Sequence, residues 1–238
     1  MLVRRLRWIP FALALAAGAA LAAPNEIKVF TDELAGYREH TLETHINKAR
    51  TGPLRVMPEY SYGLWHNWEL SLQLPFAFGS GSADGEGYRA ELQYVAPHDD
   101  ERGVYWGINV ELARDYRVDE PHFWNLEIIP IFGLRAGRWH LVANPGIERP
   151  LSGRERSAAA TPSAKAAYRV SGRNYLGLEY YVEAGPWSHR LPKAEQSRVL
   201  YLAWDGKLGR SDINFGVGRG STPASDRWVL KAIYEIAF

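Results

Sequence analysis

Trp228-Val229-Leu230-Lys231-Ala232-Ile233-Tyr234-Glu235-Ile236-Ala237-Phe238, the last eleven residues, decide how the rest of the chain is read. Side chains of an extended strand alternate between two faces with period 2. On that period Trp228, Leu230, Ala232, Tyr234, Ile236 and Phe238 make one wholly apolar face. Val229, Lys231, Ile233, Glu235 and Ala237 make the other, with both charges. The length matches the roughly 9–11 residues that a tilted strand needs to cross a bilayer. One face suits lipid and the other suits an enclosed interior.

The opposite end carries an export signal. Arg4, Arg5 and Arg7 precede a run rich in Ala and Leu that closes on Ala20-Leu21-Ala22, so residues 1–22 read as a cleavable signal peptide. The apolar run falls short of the roughly 20 residues of a spanning helix, and Pro10 interrupts it. Cleavage leaves 238 − 22 = 216 residues, in which 25 basic residues face 27 acidic ones. That balance argues against nucleic acid as a partner. With no cysteine, neither a disulfide framework nor a thiolate metal site can form. No second apolar run is long enough for a transmembrane helix, while 9 Trp and 13 Tyr supply interfacial rings in quantity.

Period-2 alternation recurs through the chain, and helical periodicity does not. It predicts twelve strands near 37–47, 54–64, 68–78, 87–95, 104–113, 123–134, 138–148, 164–171, 175–184, 198–205, 211–218 and 228–238. The third sets Leu70, Leu72, Leu74, Phe76 and Phe78 against Glu69, Ser71 and Gln73. Residues 23–36 precede the strands as an N-terminal periplasmic extension or a plug, and residues 37–238 form the barrel. Tight connections such as His66-Asn67 and Ala136-Gly137 alternate with long ones at 79–86, 114–122, 149–163, 185–197 and 219–227. Short periplasmic turns and long external loops are the habit of outer-membrane barrels. One connection, 96–103, is long where a short one is due. The fold expected is all-β: a transmembrane, antiparallel, up-and-down barrel of about twelve strands. Its terminal strand, above all Trp228, Leu230, Tyr234, Ile236 and Phe238, resembles the assembly signal of bacterial outer-membrane barrels, which implies the barrel-assembly machinery as a partner.

If the apolar face meets lipid, the interior is acid-leaning. Glu43, Glu59, Glu69, Glu91, Glu111, Glu127, Glu179, Glu183 and Glu235 fall inside, with Arg89, Arg169 and Lys231 as counter-charges; these are the candidate selectivity groups. Seven histidines stand in no His-x-Ser-Asn or HExxH setting, so neither a catalytic group nor a metal ligand is assigned, and no cofactor is expected. Ser188-His189 are adjacent in a proposed loop.

Pro58-Glu59-Tyr60-Ser61-Tyr62-Gly63-Leu64 and Trp68-Glu69-Leu70 with Leu74-Pro75 resemble the second and third strands of the MetA-pathway-of-phenol-degradation-like outer-membrane family. Gly177-Leu178-Glu179-Tyr180-Tyr181 and Asn214-Phe215-Gly216-Val217-Gly218 extend the likeness towards Phe238. The resemblance implies an outer-membrane barrel passing small solutes, aromatic or hydrophobic ones among them, and carries over no binding residue. A monomeric passive channel in outer-membrane lipid is therefore the expectation. The alternatives are a closed structural or adhesion barrel with partner-binding loops, an outer-membrane lipid hydrolase, and a soluble periplasmic β-sandwich.

Overall fold

The computed structural model describes residues 27–79, 81–116, 121–153 and 156–238; the expected signal peptide, 1–22, lies outside them. The strands are β1 (His40–Ala49), β2 (Leu54–Trp65), β3 (Trp68–Gln73), β4 (Phe76–Gly79), β5 (Ser82–Gly85), β6 (Gly87–Val95) and β7 (Gly103–Tyr116). They continue as β8 (Pro121–Ala136), β9 (Trp139–Pro150), β10 (Ala159–Ser171), β11 (Asn174–Glu183), β12 (Ser197–Leu208), β13 (Ser211–Gly220) and β14 (Val229–Ala237). Neighbouring strands pair antiparallel, β3 with β6 and β4 with β5 making one interrupted hairpin, and β1 pairs with both β2 and β14, which closes the sheet into a twelve-stranded barrel. The terminal strand forms the seam: Leu42 lies opposite Ile236, Thr44 opposite Tyr234, and Phe238 N–H donates to the His40 carbonyl at 2.9 Å. Among the described residues every strand but the short β5, which pairs with β4 alone, has a partner on both sides, as lipid requires, because an unsatisfied backbone group there costs several kcal/mol.

The burial pattern is the reverse of a water-soluble protein's. Leu72, Leu178 and Leu202 are about half exposed (54%, 49% and 56%), whereas Glu59, Lys231 and Asn109 are sealed inside (1%, 1% and 0%). The alternation read from the sequence thus has lipid outside and a polar, packed interior. Trp65, Trp106 and Trp139 lie exposed at the end where β1 begins, and Trp228 at the other, as two interfacial girdles demand. By the convention of short periplasmic turns, the end where β1 begins is periplasmic.

The third strand departs from its expected form. It breaks at Leu74-Pro75, and its continuation β4 pairs with β2 on one side and β5 on the other. Proline has no N–H to give the ladder. The β2–β3 register ends at Glu59 opposite Gln73 and resumes at Val56 opposite Phe76. Half of the long loop expected at 79–86 is therefore strand β5, paired back on β4. Gly87, at φ +138°, carries the matching irregularity before β6; a Cβ there would strike the Arg114 carbonyl. Outside this break lies a recess of about 680 Å³ walled by Tyr60, Leu72, Leu74, Tyr88, Leu112 and Trp124, with the luminal residues Glu59, Gln73 and Arg89 at its floor.

Candidate functional site

Residues 27–36 run inside the barrel rather than trailing from it. Ile27, Val29 and Phe30 are buried, and Val29 and Phe30 share an apolar cluster with Tyr105, Ile129, Ile131, Val142 and Tyr201 from the inner wall. Backbone groups need partners wherever water is excluded, and wall side chains supply them. Asn144 Nδ2 donates to the Phe30 carbonyl at 3.0 Å and Gln93 Nε2 to that of Thr31 at 3.1 Å. Ala35 N–H donates to Glu69 at 2.5 Å. Lys231 Nζ donates to the Ile27 carbonyl at 2.9 Å, and Tyr181 Oη lies 2.6 Å from the same oxygen. The segment leaves over β2, where Arg38 N–H donates to the Gly63 carbonyl at 2.8 Å. Gly63 is required there, because a Cβ would collide with the Gly36 carbonyl.

Two ionic latches hold this strap. Midway up the lumen Lys28 Nζ stands 2.9 Å from Glu43 and 4.0 Å from Glu59, and His45 Nε2 joins both carboxylates, 3.2 Å from Glu59. Glu43, His45 and Glu59 also have the proximity of a metal-ligand set, with ligand atoms within 4.8 Å of one another, but the Lys28 ammonium already supplies the positive charge. At the periplasmic end Asp32 accepts from Arg135 at both oxygens, 2.6 and 3.0 Å. His98 Nε2 adds a third contact at 3.0 Å. The other ring nitrogen of His98 meets the Ala96 carbonyl at 2.8 Å. Carbonyl and carboxylate oxygens only accept, so this geometry suits the doubly protonated imidazolium. Burial opposes the charge on His98, but the Ala96 carbonyl and Asp32 together lift its pKa above the ordinary value. Burial likewise opposes the Asp32 carboxylate, and Arg135 outweighs it to hold the carboxyl below its usual range.

The signs of these shifts set a pH window. Asp32, depressed, contributes above its ordinary 3.8, and that contribution fades as pH falls through the lower folded value. His98, raised, contributes fully below its ordinary 6.5, and that fades as pH rises through the higher folded value. The strap is thus held most tightly between the two. Release of the strap is expected to increase as pH is taken from about 6 to about 8.5, read as faster proteolysis of residues 27–36 in the refolded barrel, and a His98→Gln barrel should show no such increase.

The sequence-predicted residues occupy the lumen in three further groups. Glu179 pairs with Lys231, and Asn214 donates to it at 3.0 Å; Lys165 lies 3.6 Å from it and 2.7 Å from Asp205. Gln73 bridges Glu59 and Glu91 at 3.2 and 2.5 Å. Arg89 stands 3.4 Å from both Glu111 and Asp115 towards the external end, and Thr161 donates to Glu127 at 2.6 Å. Glu235 faces Glu43 across the seam, and Glu183, opposite Ser197, sits at the external rim. Arg169 donates to the Gly137 carbonyl at 3.2 Å, at the periplasmic turn and away from these groups.

Asp32, Lys28 and Arg135 escaped the sequence reading, and His98 was given no role in it. The signal that points to His98 is the connection 96–103, too long for a periplasmic turn: it is long because it reaches the strap. Ser188 Oγ and His189 Nδ1 lie 2.8 Å apart on an exposed external turn with no buried residue. A contact between sequence neighbours outside any cleft does not make a hydrolytic site.

No protein-family profile and no curated protein matches the sequence. Among solved structures the chain is similar to the COG4313 outer membrane channel from Pseudomonas putida F1, with a TM-score of 0.71 at 10% identity, covering 90% of this chain and 100% of that one. It is also similar to a membrane protein crystallised in meso, with a TM-score of 0.51 at 9% identity, covering 84% of each chain. Identities this low speak to the fold alone. The chain is an outer-membrane-type β-barrel of twelve strands.

Proposed function

We propose that this protein is a passive, monomeric outer-membrane channel for small solutes, held closed at rest by residues 27–36. The observation that carries the reading is the strap. It fills the lumen through reversible ion pairs and hydrogen bonds, Asp32 to Arg135 and His98 and Lys28 to Glu43, rather than through a ladder of strand pairing. A permanent plug has no need of so many charged, separable contacts. The likeness to a barrel described as an outer membrane channel supports the same reading. In this scheme Glu43, Glu59, Glu179 and their partners line the path once the strap moves, favouring cations and neutral polar groups over anions. The terminal strand from Trp228 to Phe238 is the segment read by the assembly machinery, and the activity is not enzymatic.

The recess outside the Leu74-Pro75 break favours apolar or aromatic solutes among the cargo, because it joins lipid-facing aliphatic side chains to luminal Gln73 and Arg89. The test is conductance of the refolded barrel in planar bilayers, with small aromatic solutes or sugars added to one side. Discrete steps shortened by an aromatic solute support the proposal. A barrel that stays silent, even after both latches are cut, favours a closed structural or adhesion barrel instead.

A further inference from the structure

Every Lys, Arg, Asp or Glu that a described strand turns towards lipid is a cation, and every one stands at the external end. They are Lys48 on β1, Arg114 on β7, Arg149 on β9, Arg198 on β12 and Arg219 on β13. The carboxylates of the strands all point inward, and the outward positions at the periplasmic end hold uncharged side chains such as Trp68, Tyr94, Trp106 and Trp139. Cations that merely snorkel to a headgroup layer would serve both leaflets alike. At the periplasmic end the turn residue Arg138 does stack 4.8 Å over the outward Tyr168, but its Nε and Nη2 are already given to the Arg169 and Val170 carbonyls, so the strand cations with donors facing the headgroups stand at the external end.

Three of the five cations gather on one side of the barrel, on β12, β13 and, across β14, on β1. Arg219, opposite Leu200 on β12, lies two residues from the position of Arg198 and stacks its guanidinium 5.4 Å above the Trp228 ring. Arg50 continues the row, its N–H donating to the Trp228 carbonyl at 3.0 Å, and Lys48 follows on the same outward face. Arg198 is held by Gln196 Oε1 at 2.6 and 3.1 Å and Lys48 by the Gly52 carbonyl at 2.6 Å. Among the described residues none of the four is ion-paired to a carboxylate. The nearby Asp226 accepts from Thr51 at 3.3 Å. Stacking fixes a guanidinium plane and leaves its outer N–H groups for a planar or tetrahedral oxyanion. The row is therefore a cationic edge above an apolar wall of Leu200, Leu202, Phe215, Val217 and Leu230.

We propose that the external rim formed by Arg198, Arg219, Arg50 and Lys48 around Trp228 binds the phosphate groups of lipopolysaccharide in the outer leaflet. The phosphate takes paired N–H donors from the arginines, and the acyl chains lie along the apolar wall beneath. Arg114, stacked 5.2 Å over Trp124, repeats the same arrangement on the other side of the barrel. Binding here touches no group of the strap or of the luminal ion pairs.

The test uses the refolded full barrel in detergent, titrated with diphosphoryl lipid A, with dephosphorylated lipid A and with inorganic phosphate. The readouts are tryptophan fluorescence and the heating needed to unfold the barrel on a gel. Diphosphoryl lipid A should bind and raise the unfolding temperature, whereas the dephosphorylated form and inorganic phosphate should do neither. Arg198→Gln with Arg219→Gln should weaken lipid A binding roughly ten-fold or more, and Arg219→Lys should weaken it less. If the double variant does not fold, Arg50→Gln with Lys48→Gln carries the same expectation. Single-channel conductance of these variants should match the unaltered barrel's, so the lipid site and the channel reading succeed or fail separately. Equal binding of both lipid A forms, undiminished binding by the variants, or the same response to inorganic phosphate alone would overturn the proposal.

Discussion

A barrel carrying Lys28→Ala and Asp32→Ala is expected to conduct for most of the time under conditions in which the unaltered barrel is mostly shut. Asp32 is held by two wall or turn cations, Arg135 at 2.6 Å and His98 at 3.0 Å, with the His140 ring more remote at 3.9 Å. Removing it leaves Arg135 partly buried without its counter-ion, and breaking a buried pair in this way costs about 3–5 kcal/mol. That cost falls on the strapped state alone, because a released strap and a hydrated lumen let both groups meet water. Each 1.4 kcal/mol is a factor of ten, so losing the Asp32 latch should raise the open-to-closed ratio by roughly two to three and a half orders of magnitude. Lys28→Ala adds to this by exposing the mutual repulsion of Glu43 and Glu59, which its ammonium now offsets. Open probability in planar bilayers is the measurement. Unchanged open probability in a variant that still shows the heat-dependent mobility of a folded barrel would mean that the strap does not close the path.

The barrel was legible because its cause is local. Lipid on one side and an enclosed interior on the other impose period 2 on nearly every strand, so Leu70, Leu72 and Leu74 against Glu69, Ser71 and Gln73 reveal facing without any tertiary knowledge. Connection lengths added the direction of each hairpin. The strap was not legible for the opposite reason. Residues 27–36 form no strand, and their partners come from across the chain: Ile27 meets Tyr181 and Lys231, Phe30 meets Asn144, and Asp32 meets Arg135. No spacing in the sequence encodes such contacts. A buried Ile, Val and Phe interleaved with Lys and Asp, without helical or strand period, is what a chain needs when it threads a lumen lined by both apolar and ionised groups. The same stretch reads equally well as a loose extension. The break in the third strand was half visible, since Pro75 announces itself. The recess it opens depends on Pro58 lying near Leu74 on the neighbouring strand, where the Leu74 N–H donates to the Pro58 carbonyl at 3.1 Å.

The facing itself is tested most sharply by two neighbouring residues. Leu72→Arg is expected to impair insertion and Gln73→Arg to be tolerated, although the two positions are adjacent and the new side chain is the same. Leu72 lies on the lipid face, 54% exposed, between Tyr60 and Ala90 in the middle of their strands. A cation there costs roughly 2–4 kcal/mol near the bilayer midplane, too far from either headgroup layer to snorkel out. Gln73 is 1% exposed in the lumen, and its amide already donates to Glu59 and Glu91. A guanidinium at that point would replace a neutral donor between two carboxylates with a charged one, so its burial is offset by paired, charge-assisted hydrogen bonds. It should narrow the path and weaken its preference for cations, without loss of folded barrel. The measurement is the folded fraction after refolding into vesicles, followed by reversal potential in a salt gradient for the variant that inserts. A one-residue shift in register would exchange the two outcomes, and equal insertion of both would remove the assignment of an apolar exterior and a charged interior on which the channel reading depends.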